Sequence, residues 1–481
     1  MATPVKFKNI LHSRPWIQKS PHPSTTAYNG GHMRTSRTFD QRMYHVTGTS
    51  AMFGYNPNTD AWFTIAGPSL GSYGSGGSME CSAIGPTGTA TAGSTTTLTT
   101  NLTLAYDLRG YEILITGGPG AGDVRTIASN TIGTNGVITV TSAFSATITT
   151  SSTYILRTGS AYIFGGGTLA ASSFRKYDYA TNAFSSLSIT GLPASFGTDG
   201  YLIGTPSIIR RGVVTSNATG TATAGGASTL TNSGKAWATN QWANAYQVRI
   251  TAGTGLGQTR IIASNTGTAL TTTAAWTTNP DATSVYSIEG NDDYLWLIGN
   301  GNVTMYRYQI SNNTWTTVTP GVARSGAPST SCLSWHASQS TETDWTTENS
   351  IINGRRIYSL RGGGVTTLDY FDIPTLSWTS AISYGPAVAT PANGWKVQPY
   401  GGKAYIRNAC TAITTCQLYV FDPARATLDG FGTQPLICAQ NPLYNSCEVA
   451  EYVDGADIIP FFYTLVESST LNSPWLRTPL F

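Results

Sequence analysis
The sequence predicts an all-β protein built from repeated small antiparallel sheets, with a second and smaller β-module present twice. Three observations carry this. Gly88–Gly93 and Gly220–Gly225 both read Gly-Thr-Ala-Thr-Ala-Gly, and each runs on through a Thr-rich strand pattern to a shared Arg-x-Ile-Ala-Ser-Asn-Thr at Arg125–Thr131 and Arg260–Thr266. Once those copies are set aside, a longer strand–turn–strand–aromatic unit recurs along the remaining chain. Charged residues make up only 11% of the sequence while Gly alone accounts for 52 positions, and no helix-period pattern stands out, which describes a turn-rich β protein with polar, uncharged surfaces.

The recurring unit is clearest in three places. Tyr162-Ile-Phe-Gly-Gly-Gly167 leads to Phe174–Asp178, an Asn turn and Phe184. Tyr294–Gly301 leads to Met305–Gln309, Asn312-Asn-Thr and Trp315, and Arg356–Gly364 leads to Leu368–Asp372 and Trp378. A degenerate version covers Lys403–Arg407, Gln417–Asp422 and Phe431, and an earlier one runs from Ser50 to Trp62. An apolar strand followed by Gly-Gly, a Tyr-Asp strand end, a polar turn and then Trp resembles the kelch blade, whose period is about 50 residues. The resemblance implies a kelch-like β-propeller of about six blades, in which Gly allows close approach near the channel and the Trp or Phe packs between blades. The last strong strand candidate, Asp457–Val466, is expected either to complete a sixth blade or to close the ring against Met43–Thr47, removing exposed edges.

The organisation that follows is an extended basic N-terminal arm over 1–42, propeller over 43–86, an inserted β-module over 87–158, propeller over 159–218, a second inserted module over 219–288, and the remaining blades with ring closure over 289–481. Both inserts precede the Gly-flanked strand of a blade, so they are expected on one face of the disc. The arm holds Lys6, Lys8, Arg14, Lys19, Arg34, Arg37 and Arg42 against the single acid Asp40, leaving 20 basic and 23 acidic residues elsewhere. Such a segment reads as a docking arm for a neighbour; specific nucleic-acid recognition is not expected, since no reading motif accompanies the charge. Met1–Ile10 has no apolar core suited to a signal peptide and no run of about 18 apolar residues spans a membrane, so synthesis in a cytoplasm without membrane insertion is expected.

Catalytic constellations are thin. His12, His22, His32 and His45 crowd the N-terminal segment and His336 stands apart, while a copper radical oxidase or a sialidase would need histidines over several blades or Asp-box turns with an arginine triad. Asp292 with Asp293 and Glu342 with Asp344 sit in polar turns, where acids are expected for turn chemistry. Gly117–Gly122 and Gly253–Gly257 lack the Lys-Ser/Thr of a phosphate loop and recur at one place in both copies, so they read as hairpin turns. No catalytic, cofactor or metal residues are assigned, and no enzyme is expected. Cys410 with Cys416 and Cys438 with Cys447 bracket short segments and could form two local disulfides, buried thiols being the alternative.

The Gly-Thr-Ala-Thr-Ala-Gly module resembles the small repeated β-modules of tailed-bacteriophage structural proteins, and a propeller carrying inserted β-domains is similar to the tail nozzle proteins of short-tailed phages. The resemblance implies a non-enzymatic virion component (tail nozzle, neck, baseplate or similar), made in the host cytoplasm, forming a homo-oligomer and contacting other virion proteins. The alternative is a glycan-binding appendage for host attachment or capsid decoration, in which Trp237, Trp242 and Trp276 of the second insert stack on sugars; the first insert has no Trp.

Overall fold
The computed structural model describes residues 17–23, 32–36, 38–47, 51–65, 73, 77–197, 200–204, 217–291, 293–299, 301–327, 333–336, 356–362, 365–382, 396–400, 403–407, 416–422, 427–434, 447–454, 457–465 and 475–479. Every regular element among them is a strand. No helix among them is long and apolar enough to cross a membrane.

Six of the sheets have four strands each, ordered outward from an innermost strand. Blade 1 comprises His32–Thr35, Met43–Val46, Met52–Asn56 and Ala61–Ile65; blade 2 comprises Ser78–Ser82, Ser160–Phe164, Phe174–Asp178 and Ala183–Ser186. Blade 3 comprises Tyr201–Gly204, Tyr294–Ile298, Met305–Gln309 and Thr314–Val318, and blade 4 Leu333–His336, Arg356–Gly362, Val365–Asp372 and Ser377–Ile382. Blade 5 comprises Lys396–Tyr400, Lys403–Arg407, Cys416–Asp422 and Thr427–Gln434. Blade 6 takes Cys447–Asp454, Asp457–Leu465 and Trp475–Pro479 from the end of the chain and its outermost strand, Ile17–Lys19, from the beginning. The innermost strands adjoin one another in cyclic order, with that of blade 6 next to that of blade 1, so the sheets form a β-propeller.

Of the two expectations for Asp457–Val466, the structure bears out completion of a sixth blade and overturns closure against Met43–Thr47. Asp457–Leu465 is the second strand of blade 6, and the closing pair is Ile17–Lys19 with Trp475–Pro479, in register Ile17 with Arg477 and Lys19 with Trp475, rather than any pairing of Met43–Thr47. The segment 1–42 is therefore not an extended arm throughout: its His32–Thr35 lies innermost in blade 1 and Ile17–Lys19 outermost in blade 6.

The turns between third and fourth strands explain why the repeated aromatic unit reads as it does. Asp60, Asn182 and Asn313 each adopt a positive φ, of 54°, 49° and 51°, which Asn and Asp tolerate better than most side chains. Each accepts a hydrogen bond through Oδ1 from a third-strand tyrosine, Tyr55, Tyr177 and Tyr308, at 2.8, 2.9 and 2.7 Å. Leu376 takes the same conformation in blade 4 without a side chain that could accept such a bond.

Two blades interrupt the connection between their first and second strands with a seven-stranded sheet. In blade 2 its order is Thr87–Thr89, Thr153–Arg157, Glu112–Gly117, Val124–Asn130, Val137–Val140, Thr97–Thr99 and Ala92–Gly93. The two edge strands are neighbours in the chain, so the sheet curls around a core that includes Leu98, Ile113, Ile115, Ile138 and Leu156. Blade 3 carries the same order in Thr219–Thr221, Val285–Gly290, Tyr246–Ala252, Thr259–Asn265, Ala269–Thr272, Thr229–Thr231 and Ala224–Gly226.

Candidate functional site
The shared Arg-x-Ile-Ala-Ser-Asn segment is shared because its side chains close each insert. Asn130 Oδ1 accepts from the Leu108 backbone N–H at 2.7 Å while its Nδ2 donates to the Tyr106 carbonyl at 3.0 Å. Asn265 does the same with the Trp242 N–H and the Ala238 carbonyl, both at 2.9 Å. Arg125 and Arg260 donate through Nε to the carbonyls of Ala143 and Ala275, each at 2.8 Å. Both copies also place a register shift just after the arginine, at Ile127/Ser129 and at Ile262/Ser264.

The Gly-rich runs form turns with positive φ at Gly118, Gly120 and Gly122 and at Gly253, Gly255 and Gly257. The turns meet. A Cβ on Gly257 would lie 2.8 Å from the Gly122 backbone nitrogen, and one on Gly122 would collide with Leu256. Only residues without a side chain permit this approach, so glycine here serves contact between inserts as well as turn geometry.

The first insert is tied to the propeller by the turn joining the first two strands of blade 1. Asp40 pairs with Arg42 and accepts from the Tyr111 hydroxyl at 2.6 Å and from Thr38 Oγ1 at 2.6 Å. The Arg42 guanidinium carbon sits 3.0 Å from the Tyr179 ring centroid and 5.2 Å from that of Tyr111, and Tyr106 stacks on Tyr179 at 4.6 Å. Burial opposes the Arg42 charge, yet Asp40 outweighs it and holds the guanidinium protonated; burial, with Asp40 adding to it, pushes the Tyr111 hydroxyl far above its ordinary range. Beside the second insert, Asn244 Nδ2 donates to the Pro374 carbonyl of blade 4 at 3.3 Å and Asn291 Nδ2 to the Asn244 carbonyl at 3.0 Å.

A polar cluster lines the innermost strands. Arg34 of blade 1 lies 3.9 Å from Glu80 of blade 2, and Glu80 accepts from the Gly204 N–H of blade 3 at 3.2 Å and from the Cys81 N–H at 2.9 Å. His32 stands edge-on to Tyr73 and Tyr201 at 6.2 Å each, and enclosure by protein, then Lys396 and Arg34, hold its pKa well below the usual histidine value. In blade 4, Asp369 accepts from Arg324 at 2.7 Å and from Arg361 at 2.7 and 2.8 Å, while Arg324 also donates to Ser359, which shares a hydrogen bond with Ser334. These acids are engaged as structural acceptors. Among the described residues no group of three His, Cys, Asp or Glu is placed to hold a metal ion.

The structure redistributes the residues singled out from sequence. Lys6, Lys8, Arg14 and Arg37 lie outside the described residues. Lys19 pairs with Asp60 at 3.0 Å within blade closure, and Arg34 is buried beside Glu80, so neither extends from an arm. Trp237, Trp242 and Trp276 are 4%, 1% and 5% exposed and belong to the core of the second insert and its neighbours. They offer no face for a sugar. The sequence marked them by their absence from the first copy, but that difference reflects how each barrel is filled: Trp237 Nε1 donates to the Asn217 carbonyl at 2.9 Å and Trp242 packs edge-on to Tyr246 at 5.0 Å. Cys410 and Cys438 lie outside the described residues, and Cys416 and Cys447 are strand residues whose side chains are not described. Asp293 behaves as a turn acid, accepting from the Ser311 N–H at 2.7 Å; Asp292, Glu342 and Asp344 lie outside the described residues. Asp40, Arg42, Tyr111 and Tyr179 were not singled out as a unit, because only the fold brings a blade turn to an insert some seventy positions away.

This arrangement defines the class of protein as a β-propeller bearing a pair of contacting β-modules. No known family matches the sequence, and no curated protein matches it. Solved structures similar to it include a six-bladed fucose-binding fungal lectin from Aleuria aurantia, at 7% identity and a TM-score of 0.38, covering 94% of this chain and 96% of that one. The phage phi92 endosialidase aligns at 10% identity and a TM-score of 0.27 over 96% of this chain and 58% of that one. The structure of YjhT aligns at 14% identity and a TM-score of 0.24 over 39% of this chain and 62% of that one. Propellers that bind or cleave glycans are thus among the similar structures, at a level of likeness that assigns no activity to this chain.

Proposed function
We propose that the protein is a non-enzymatic structural component of a tailed-phage virion, assembling with copies of itself and with neighbouring virion proteins. The observation that carries this reading is the rigid coupling of the two inserts: they touch at Gly122 and Gly257, and the first is locked to blade 1 through Asp40, Arg42, Tyr111 and Tyr179. A disc bearing one fused block, with Asp40, Tyr111 and Tyr179 committed to internal contacts at its junction, suits a part that presents fixed surfaces to neighbours. The Gly-Thr-Ala-Thr-Ala-Gly module, which resembles phage structural modules, supports the same reading. A glycan-binding role would have to use residues other than the three buried tryptophans.

Light scattering on the full chain and on a variant beginning at Ile17, which keeps the closing strand, tests this. A discrete oligomer in the full chain supports assembly, and its loss in the shorter variant assigns assembly to residues 1–16. A monomer in both forms at high concentration, together with saturable binding on a glycan panel, overturns the structural reading.

A further inference from the structure
The point of ring closure holds two buried imidazoles in contact. His22 follows the closing strand Ile17–Lys19, and His45 lies in the second strand of blade 1; both are fully buried. His45 Nδ1 and His22 Nε2 are 3.1 Å apart, and His22 is wedged edge-on against Phe53 at 4.7 Å and Trp62 at 4.4 Å between ring centroids. Trp62 is the residue whose Nε1 donates to the Ser20 carbonyl at 2.9 Å, and Asp60 accepts from the Ser20 N–H at 3.0 Å. Closure and the histidine pair are thus one structure.

A hydrogen bond between two imidazole nitrogens needs one donor and one lone pair, so the contact survives in the neutral pair and is lost when both rings are fully protonated. The surroundings do not favour added charge. His45 feels Lys396 on the innermost strand of blade 5 and the His22 imidazole, and it acts in turn on His32 of the innermost strand of blade 1, which also feels Lys396 and Arg34. The acid at the closure, Asp60, is already engaged by Lys19, Tyr55 and Ser20.

We propose that the His22–His45 pair is an acid-sensitive latch on ring closure: neutral, it seats Ser20–His22 on blade 1, and on protonation it expels His22 and releases Ile17–Lys19 from Trp475–Pro479. Burial first, then His22 and then Lys396, keep the His45 pKa well below its ordinary value. A histidine depressed in the closed state binds fewer protons there than in the open chain. Its stabilisation is therefore full above about pH 6.5 and declines as pH falls below that value, by up to about tenfold in the closing equilibrium per pH unit for His45.

The molecule contains its own control. Asn313 and Trp315 hold Ser188 in blade 2 as Asp60 and Trp62 hold Ser20, in a grip whose named contacts include no histidine. Hydrogen exchange on the full chain, corrected for the intrinsic rate, is followed from pH 7.5 to pH 5 at Ile17–His22 and at Ser186–Ile189. The latch requires protection at Ile17–His22 to fall at least tenfold more than at the control segment. His22→Gln, which keeps a neutral hydrogen-bonding side chain, is expected to abolish the difference. Equal protection changes in the two segments of the native chain overturn the latch whatever the variant does; so does a His22→Gln chain that is protected at pH 7.5 and opens at pH 5 as the native one does.

Discussion
The indole nitrogen of Trp315 donates to the carbonyl of Ser188 at 2.9 Å, and Asn313 Oδ1 accepts from the N–H of that same serine at 2.8 Å. Blade 3 thus grips both backbone groups of one residue just beyond the last strand of blade 2. Blade 1 repeats the grip on Ser20 beyond the last strand of blade 6, through Trp62 and Asp60. In blades 1 and 3 the tryptophan that ends the repeating unit therefore serves as an inter-blade hydrogen-bond donor as well as a filler, with Trp315 also lying 5.1 Å from Phe174 of the preceding blade.

Two substitutions separate the parts of this grip. Asn313→Gly keeps the positive φ but removes the acceptor for Ser188 and Tyr308, and should cost about 1–3 kcal/mol. Asn313→Ala should cost about 1 kcal/mol more, because alanine is strained at that φ. Urea midpoints at 25 °C check this; a glycine variant as stable as the native protein would show that the side chain contributes nothing.

The contact between inserts predicts a compensating pair. Gly122→Ala sets a methyl into Leu256 and should lower stability by about 1–3 kcal/mol, and Leu256→Ala in the same chain should relieve the collision component while leaving the φ strain. Gly257→Ala should gain no such relief, since the group it meets is the Gly122 backbone. Thermal unfolding of the single and double variants measures the coupling, and strictly additive effects of Gly122→Ala and Leu256→Ala would contradict the contact.

At the insert junction, Arg42→Met leaves Asp40 among tyrosines without its cation, and should cost about 3–5 kcal/mol. Arg42→Lys should recover only part of this, because a lysine cannot stack flat on Tyr179 while facing Asp40 and the Thr158 carbonyl. Hydrogen exchange at Tyr106–Tyr111 reads the junction locally; protection there unchanged in Arg42→Met would refute it.

Because Trp242 is a core residue, Trp242→Ala should destabilise the second insert by about 3–5 kcal/mol. Hydrogen exchange should report the loss in Tyr246–Ala252 and spare the first insert. A stable Trp242→Ala protein would return the residue to consideration as a surface group.

The Asp60 grip has its own acid dependence. Burial raises the carboxyl, but the Ser20 N–H, Tyr55 hydroxyl and Lys19 ammonium together hold its pKa below the ordinary carboxylate value. Its stabilisation is present above about pH 4 and is lost as pH falls through the depressed value, a window below that of the histidines. Asp60→Asn should flatten the stability profile there, and an unaltered profile would remove Asp60 from the account.

The sequence by itself determined the all-β class, the repeating sheet, the duplicated insert and the turn character of the glycine runs. Each is written in short-range pattern: alternation within a strand, a residue able to take positive φ at Asp60, Asn182 or Asn313, or a copied segment such as Arg125–Thr131 and Arg260–Thr266. The tertiary structure alone decided which residues meet. Ile17–Lys19 closes against Trp475–Pro479 across nearly the whole chain, Arg34 and Arg42 turn inward from a segment whose charge looked solvent-facing, and Gly122 finds Gly257. Burial of Trp237, Trp242 and Trp276 was hidden for the same reason. Whether an aromatic or a cation is covered depends on partners brought together by folding, and local pattern carries no record of them.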